Sequence, residues 1–253
     1  MSVTPNTFNC TNVSSTVSTT PNATDLFISE YIEGSGNNKY LEIYNGTGAA
    51  VNLGDYRLRL YANGASIPGN DVLLSGLLAN GATIVYRNAS ASPAIGTSNA
   101  ALSFNGNDAI ALFKISTNSN VDVFGRIGND PGTAWTTGAN TTVDKTLRRK
   151  ATILSGVTTN PSGTGAGAFT TLLSEWDQFA IDVTSGLNAH TFAPASVITT
   201  VPALNPVILT VTDVNGNTST CTANVTVKDL VELTAVCQNL TVDLRAETGA
   251  GAA

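Results

Sequence analysis

Apolar and polar side chains alternate over residues 26–32, 40–44, 56–61, 83–86, 109–113 and 121–124, and each run is flanked by Gly or Asn. A period of two sends successive side chains to opposite faces, so these runs predict β-strands. They recur every ~8–12 residues or a little more, the spacing of antiparallel sandwiches and barrels, and the chain is predicted to be all-β. Residues 33–39, Glu-Gly-Ser-Gly-Asn-Asn-Lys, are of types that accept turns or positive φ. Near the C-terminus, residues 206–213 and 220–227 alternate again around Val214-Asn215-Gly216-Asn217. Asn-Gly between two alternating runs is a strong hairpin signal. A last run, 235–244, opens a strand with no following partner, so the chain is expected to be a piece of a longer protein.

Composition narrows this picture. The 253 residues allow one large β domain or two small ones. With 42% hydrophobic and 12% charged residues there is enough apolar surface for a core, which argues against a disordered tail. No apolar run approaches the ~18 residues of a membrane-spanning helix. The opening Met-Ser-Val-Thr-Pro lacks a basic region followed by an apolar stretch, so no signal peptide is expected, in keeping with a fragment. A formal net charge of -6 is unfavourable for a general nucleic-acid binder.

Two sets of motifs resemble known families. Phe27-Ile28-Ser29-Glu30-Tyr31-Ile32-Glu33-Gly34, the stretch from Asn37 to Asn45, Val51-Asn52-Leu53-Gly54-Asp55-Tyr56, Phe104-Asn105-Gly106-Asn107-Asp108, and the stretch from Val121 to Gly128 resemble the bacterial lamin-tail domain of secreted and cell-surface proteins. Thr146-Leu147-Arg148-Arg149-Lys150, Ser174-Glu175-Trp176-Asp177 and His190-Thr191 look like the end of that family, so the resemblance spans about 24–192. It implies an immunoglobulin-like β-sandwich. The flanks are similar to hyalin-type adhesin repeats, which implies a second, small β-sandwich repeat. Residues 1–23 would be the N-terminal part of such a repeat, 193–204 a linker, 205–229 its C-terminal hairpin, and 230–253 the start of a next, truncated repeat. The lamin-tail domain would then be an insertion in a loop of the repeat. On that reading Cys10 and Cys221 share a repeat and could pair in an oxidising compartment, whereas Cys237 lacks its partner; three unrelated buried thiols are the alternative.

Candidate sites are each weighed against a plain structural role. His190 is the only histidine, and no nucleophile elbow, zinc pair or phosphate loop accompanies it. The resemblance gives it a hydrogen-bonding place near the last strand, and no catalytic residue is expected. Glu30, Glu33 and Glu42 on neighbouring strands, and Glu175 and Asp177 around Trp176, could do acid–base chemistry if burial separated their pKa values, but outward-facing carboxylates are the ordinary case. Asp213, Asn215 and Asn217 resemble the start of a calcium loop without its distal Glu, as do 105–108 and 128–132, and turns explain the same residues. No cofactor is expected, with a weak calcium site left as the alternative. Lys145, Arg148, Arg149 and Lys150 form a basic patch that could meet phosphates, or else pair with carboxylates along a strand. Asn-x-Ser/Thr triplets such as Asn88-Ala89-Ser90 arise readily in so Asn- and Thr-rich a chain.

The expected function is a non-catalytic binding or structural module of a bacterial adhesin-like protein, extracellular or at the cell surface. Its partner would be a protein or polysaccharide surface, met by exposed aromatics such as Tyr31, Tyr61 and Trp135. The alternative, from the company lamin-tail domains keep, is an accessory domain holding nucleic acid for a secreted nuclease or phosphoesterase. A pure spacer is the third.

Overall fold

The computed structural model describes residues 14–19, 21–194, 197–202, 204–212 and 216–226. The chain divides into two units: the continuous Ser18–Val197, and a second formed by the chain on either side of it. In the second unit, Leu204–Thr212 and Thr218–Thr226 pair antiparallel as the expected hairpin, with Leu209 opposite Cys221. Cys10, Cys237, Asp213 and Asn215 lie outside the described residues. Strands Ser14–Thr19 and Val197–Pro202 pair in a sheet of their own.

The two main sheets of the continuous unit are built on ten strands: β1 (Phe27–Glu33), β2 (Lys39–Tyr44), β3 (Tyr56–Tyr61), β4 (Asn70–Leu73), β5 (Thr83–Arg87), β6 (Thr97–Ser98), β7 (Ala109–Lys114), β8 (Ser119–Phe124), β9 (Lys145–Arg149) and β10 (Trp176–Phe179). One sheet runs β10-β9-β1-β2-β5-β6 and the other β8-β7-β3-β4. All neighbours are antiparallel except β5 and β6. The core between the sheets takes Ile28, Leu41, Ile43 and Leu147 from one and Leu58, Leu60, Ile110, Leu112 and Phe124 from the other. Each is an alternate position of its strand, as the period of two requires. This is the immunoglobulin-like β-sandwich expected from the sequence.

The alternation in β1 breaks once. Ile28 faces Ile43 and Glu30 faces Glu42, leaving Ser29 as the extra residue of a bulge. Ser29 and Glu30 therefore both lie on the side away from the core, and Tyr31 returns to it.

Every residue of β1 and β2 is buried, so the outer face of this sheet is covered as well. Ile32, Tyr40 and Val85 pack there under Ala91 and Leu187, and Phe27 and Tyr44 under Ala23 and Phe192. Residues 182–193, following β10, cross that face as a strap. Asp182 accepts hydrogen bonds from Ser35 N and Asn38 Nδ2 at 3.0 and 3.1 Å, and the Val183 carbonyl accepts one from Thr146 Oγ1 at 3.1 Å. At the far end Ala193 N donates to Ala151 O at 2.8 Å. Among the described residues, no helix is long and apolar enough to cross a membrane.

Candidate functional site

Two places gather chemistry-bearing side chains. The first is the carboxylate pair Glu30 and Glu42, directly opposite each other on β1 and β2 and 2% and 0% exposed. Glu30 pairs with Arg148 of β9, Nε to Oε1 at 3.1 Å. Glu42 accepts from Ser29 Oγ at 2.7 Å and from the strap's Asn188 N at 2.6 Å. Burial raises the Glu30 carboxyl from its ordinary 4.5 to about 7; Arg148 opposes the shift and Glu42 adds to it. Burial raises Glu42 too, against its hydrogen bonds. The Glu30 value suits proton transfer, but the strap closes the site. Arg148 donates on to Ser185 of the strap at 3.3 Å, and a Cβ at Gly186 would overlap both Arg148 Nε and Glu30 Oε2. There is no room over these carboxylates for a substrate.

The second place is an open polar cleft of about 430 Å³, bounded by the β1–β2 loop on one side and residues 103–105 on the other. The tight loop is made by Gly34 N donating to Asn38 O at 2.9 Å, with Gly36 at φ 55°, a value that favours glycine. At the cleft floor Glu33 and Lys39, 5% and 8% exposed, form an ion pair. Lys39 Nζ also donates to Gly34 O at 2.6 Å, and Glu33 Oε2 accepts the amide of Asp144. Asn37, Asn88, Ser103, Asn105 and Asp144 complete the lining, with Phe104 beneath.

Residues 19–128 match the family described as Lamin Tail Domain. That stretch, less than half of the chain, is similar to a lamin tail domain. The matched stretch holds β1 to β8, while β9, β10 and the strap follow it. Comparison with curated proteins and with solved structures gives no significant match. The lamin tail domain is a non-catalytic immunoglobulin-like family.

Within the continuous unit the expected anchor aromatics are not at the surface, which corrects the reading of Tyr31, Tyr61 and Trp135 as exposed. Tyr31 is 1% exposed, stacked between Phe104 at 4.7 Å and Phe124 at 4.2 Å. Trp135 is fully buried and donates Nε1 to Asp108 O at 3.0 Å. Tyr61 packs with Ala109, Ala111 and Val123 on the outer face of the four-stranded sheet.

Of the two readings of the basic segment, the arginines follow the pairing with carboxylates, inside the unit. Arg148 holds Glu30. Arg149 is fully buried and forms a two-pronged pair with Asp122 of β8, at 2.9 and 3.2 Å, tying one sheet to the other. Its Nη2 also lies 3.3 Å from Glu175, and its guanidinium stacks on Trp176 at 4.7 Å. Asp122 further accepts the Ile28 and Val157 amides, both at 2.8 Å. Lys150 Nζ donates to the Leu173 and Ser174 carbonyls, and only Lys145 of the four is without an ion pair or hydrogen bond among the described residues.

His190 sits in the strap against Phe27 and Tyr44, ring centroids 5.5 and 4.8 Å away. Its Nε2 is buried without a hydrogen-bond partner among the described residues, unlike the hydrogen-bonded role expected of it. Burial, with Arg149 adding, lowers its pKa from 6.5 to about 4, so it is neutral at pH 7. Asn217 is exposed beside the hairpin turn. In the 105–108 loop Asp108 accepts the Asn63 and Asn105 amides at 2.8 and 2.9 Å, and in the 128–132 loop Asp130 accepts that of Gly132 at 2.8 Å, so both carboxylates fasten turns. Among the described residues no group of three or more His, Cys, Asp or Glu could hold a metal ion.

Sequence reasoning missed the cleft and the strap. The cleft's signal was the Gly- and Asn-rich run 33–39, legible only as a turn. The strap's signal was Gly186-Leu187, a small residue beside an apolar one between the polar Ser185 and Asn188.

Proposed function

We propose that this chain is a non-catalytic binding and structural module of an adhesin-like protein, exposed at a cell surface or secreted. Its lamin tail domain presents loops to a polysaccharide or protein partner. The flanking chain forms a hyalin-type repeat into which the domain is inserted, a reading supported by the pairing of Ser14–Thr19 with Val197–Pro202. The observation that carries the functional reading is the closure of Glu30 and Glu42 beneath the strap: groups that could run acid–base chemistry are out of a substrate's reach. Loops on a rigid sandwich are where such modules carry recognition. Against a nucleic-acid-holding role stand the internal partners of Arg148, Arg149 and Lys150.

The test is binding of the full chain to immobilised polysaccharides, to extracellular protein preparations and to double-stranded DNA over a salt series. Binding to a polysaccharide or protein that persists as salt rises is expected. Binding to DNA alone, falling steeply with salt, would transfer the chain to the nuclease-accessory class. Binding to none of them would make it a spacer.

A further inference from the structure

We infer that the cleft beside the β1–β2 loop is a binding site for a neutral, polyhydroxylated ligand, a sugar ring of a polysaccharide; this deepens the binding-module reading and rests on it. The cleft's volume, about 430 Å³, lies within the range of small-molecule sites. Its polar groups fall into two sets. Glu33 and Lys39 are internally paired and fix the floor: two of the three ammonium donors go to Glu33 and to Gly34 O, leaving one. Asn37 and Asn105, both exposed in the lining, make no side-chain hydrogen bonds among the described residues, and neither does the Asp144 carboxylate. Their neighbours are different. Asn38 donates to Asp182 and accepts from Ser92 N, while Asn88 donates to Leu102 O and accepts from Ser90 N. The amides that hold the loops in place are thus distinct from the amides left over at the opening.

Two amides, a carboxylate and one ammonium proton offer both donors and acceptors, which is what vicinal hydroxyls need, since each hydroxyl both donates and accepts. Charge selects further. Glu33, Lys39 and Asp144 leave the cleft at a net charge of about -1, which disfavours phosphates and uronic acids. Phe104, at 1% exposure, gives no stacking platform, so affinity for a single ring is expected to be weak and to build up through multivalent display.

The experiment is a ¹⁵N chemical-shift titration of the full chain with glucose, galactose, mannose and N-acetylglucosamine, and with glucuronate and inorganic phosphate as anionic probes. At least one neutral sugar is expected to shift the amides of residues 33–39, 103–105 and 144, and the anions to leave them in place. Asn37→Ala with Asn105→Ala should weaken that sugar roughly tenfold, as loss of about two hydrogen bonds implies. Both residues are exposed, so the variant should keep the wild-type spectrum elsewhere. Silence from all four sugars, equal response to glucuronate, or unchanged affinity in the double variant overturns the assignment. If the double variant still binds a polysaccharide or protein surface as the wild type does, only the cleft assignment falls. If the wild type binds no surface at all, the module reading falls with it.

Discussion

Substituting Gly186 by alanine probes the closure over Glu30. The new methyl would overlap Arg148 Nε and Glu30 Oε2, so one of them must move. Glu30 is held at 2% exposure, whereas the Arg148 side chain is about a quarter exposed and can swing into solvent. That leaves a buried carboxylate opposite Glu42 with its counter-ion gone. The cost depends on pH. Glu30 titrates at about 7 in the fold against an ordinary 4.5, so between those values the folded state binds more protons than the unfolded, and stability falls as pH rises through this window. At pH 5.5 the group is already protonated, and the substitution costs about 1 kcal/mol for a hydrogen bond to a neutral acid. At pH 8 the ionised carboxylate loses its partner or must take up a proton, and the cost rises to about 2–3 kcal/mol, below the ~3–5 kcal/mol of a fully buried pair because Arg148 is partly solvated. Urea unfolding followed by tryptophan fluorescence measures this, since both tryptophans, Trp135 and Trp176, lie in the sandwich. In a Glu30→Gln background the pH dependence of the alanine's effect should vanish. Equal destabilisation at the two pH values, or less than about 0.5 kcal/mol at pH 8, would refute the reasoning.

Other outcomes follow from the same geometry. Arg149→Met leaves Asp122 buried with only two amide donors, and should lower stability by about 3–5 kcal/mol in urea titrations, the clearest loss of any single change in β9. His190 is lowered to about 4 in the fold against 6.5 unfolded, so its contribution is present above pH 6.5 and lost as pH falls towards 4; His190→Phe should abolish that acid-side loss. Glu30, Glu42, Asp108 and Glu175 are all raised by burial and act in the opposite sense, so thermal scans of the His190→Phe variant should show greater stability at pH 5 than at pH 7.5. Trp135→Phe removes the Nε1 bond to Asp108 O and part of a buried ring, and should cost about 1–3 kcal/mol by the same urea assay without altering polysaccharide binding.

The strands were legible because their information is local. Ile28, Leu41, Ile43, Leu58 and Leu112 fall on alternate positions and fill one core. The bulge was half legible, since Ser29-Glu30 puts two polar residues where alternation allows one. Exposure of the aromatics was not legible. Tyr31 looks like an outward residue beside a glycine loop, yet the bulge turns it inward between Phe104 and Phe124, more than seventy residues away. The fate of the basic segment was hidden for the same reason: Arg148 and Arg149 find Glu30 and Asp122 across the sheet and across the sandwich, 118 and 27 residues distant. Alternation says which face a side chain takes, and what lies over that face is decided by chain far off in sequence. The cleft shares this property, since its lining joins Asn37 with Asn88, Asn105 and Asp144, all distant in sequence.

The proposed non-catalytic reading rests on Glu30 and Glu42 being shut away, and amide hydrogen exchange on the full chain measures that directly. The Asn188 amide, which donates to Glu42, and the amides of β1 and β2 should exchange slowly and together, far more slowly than the loop amides of Gly36 and Asn37. Exchange of residues 182–193 at the rate of those loops, with β1 and β2 still protected, would mean that the strap opens and exposes the carboxylates, and would contradict the non-catalytic reading.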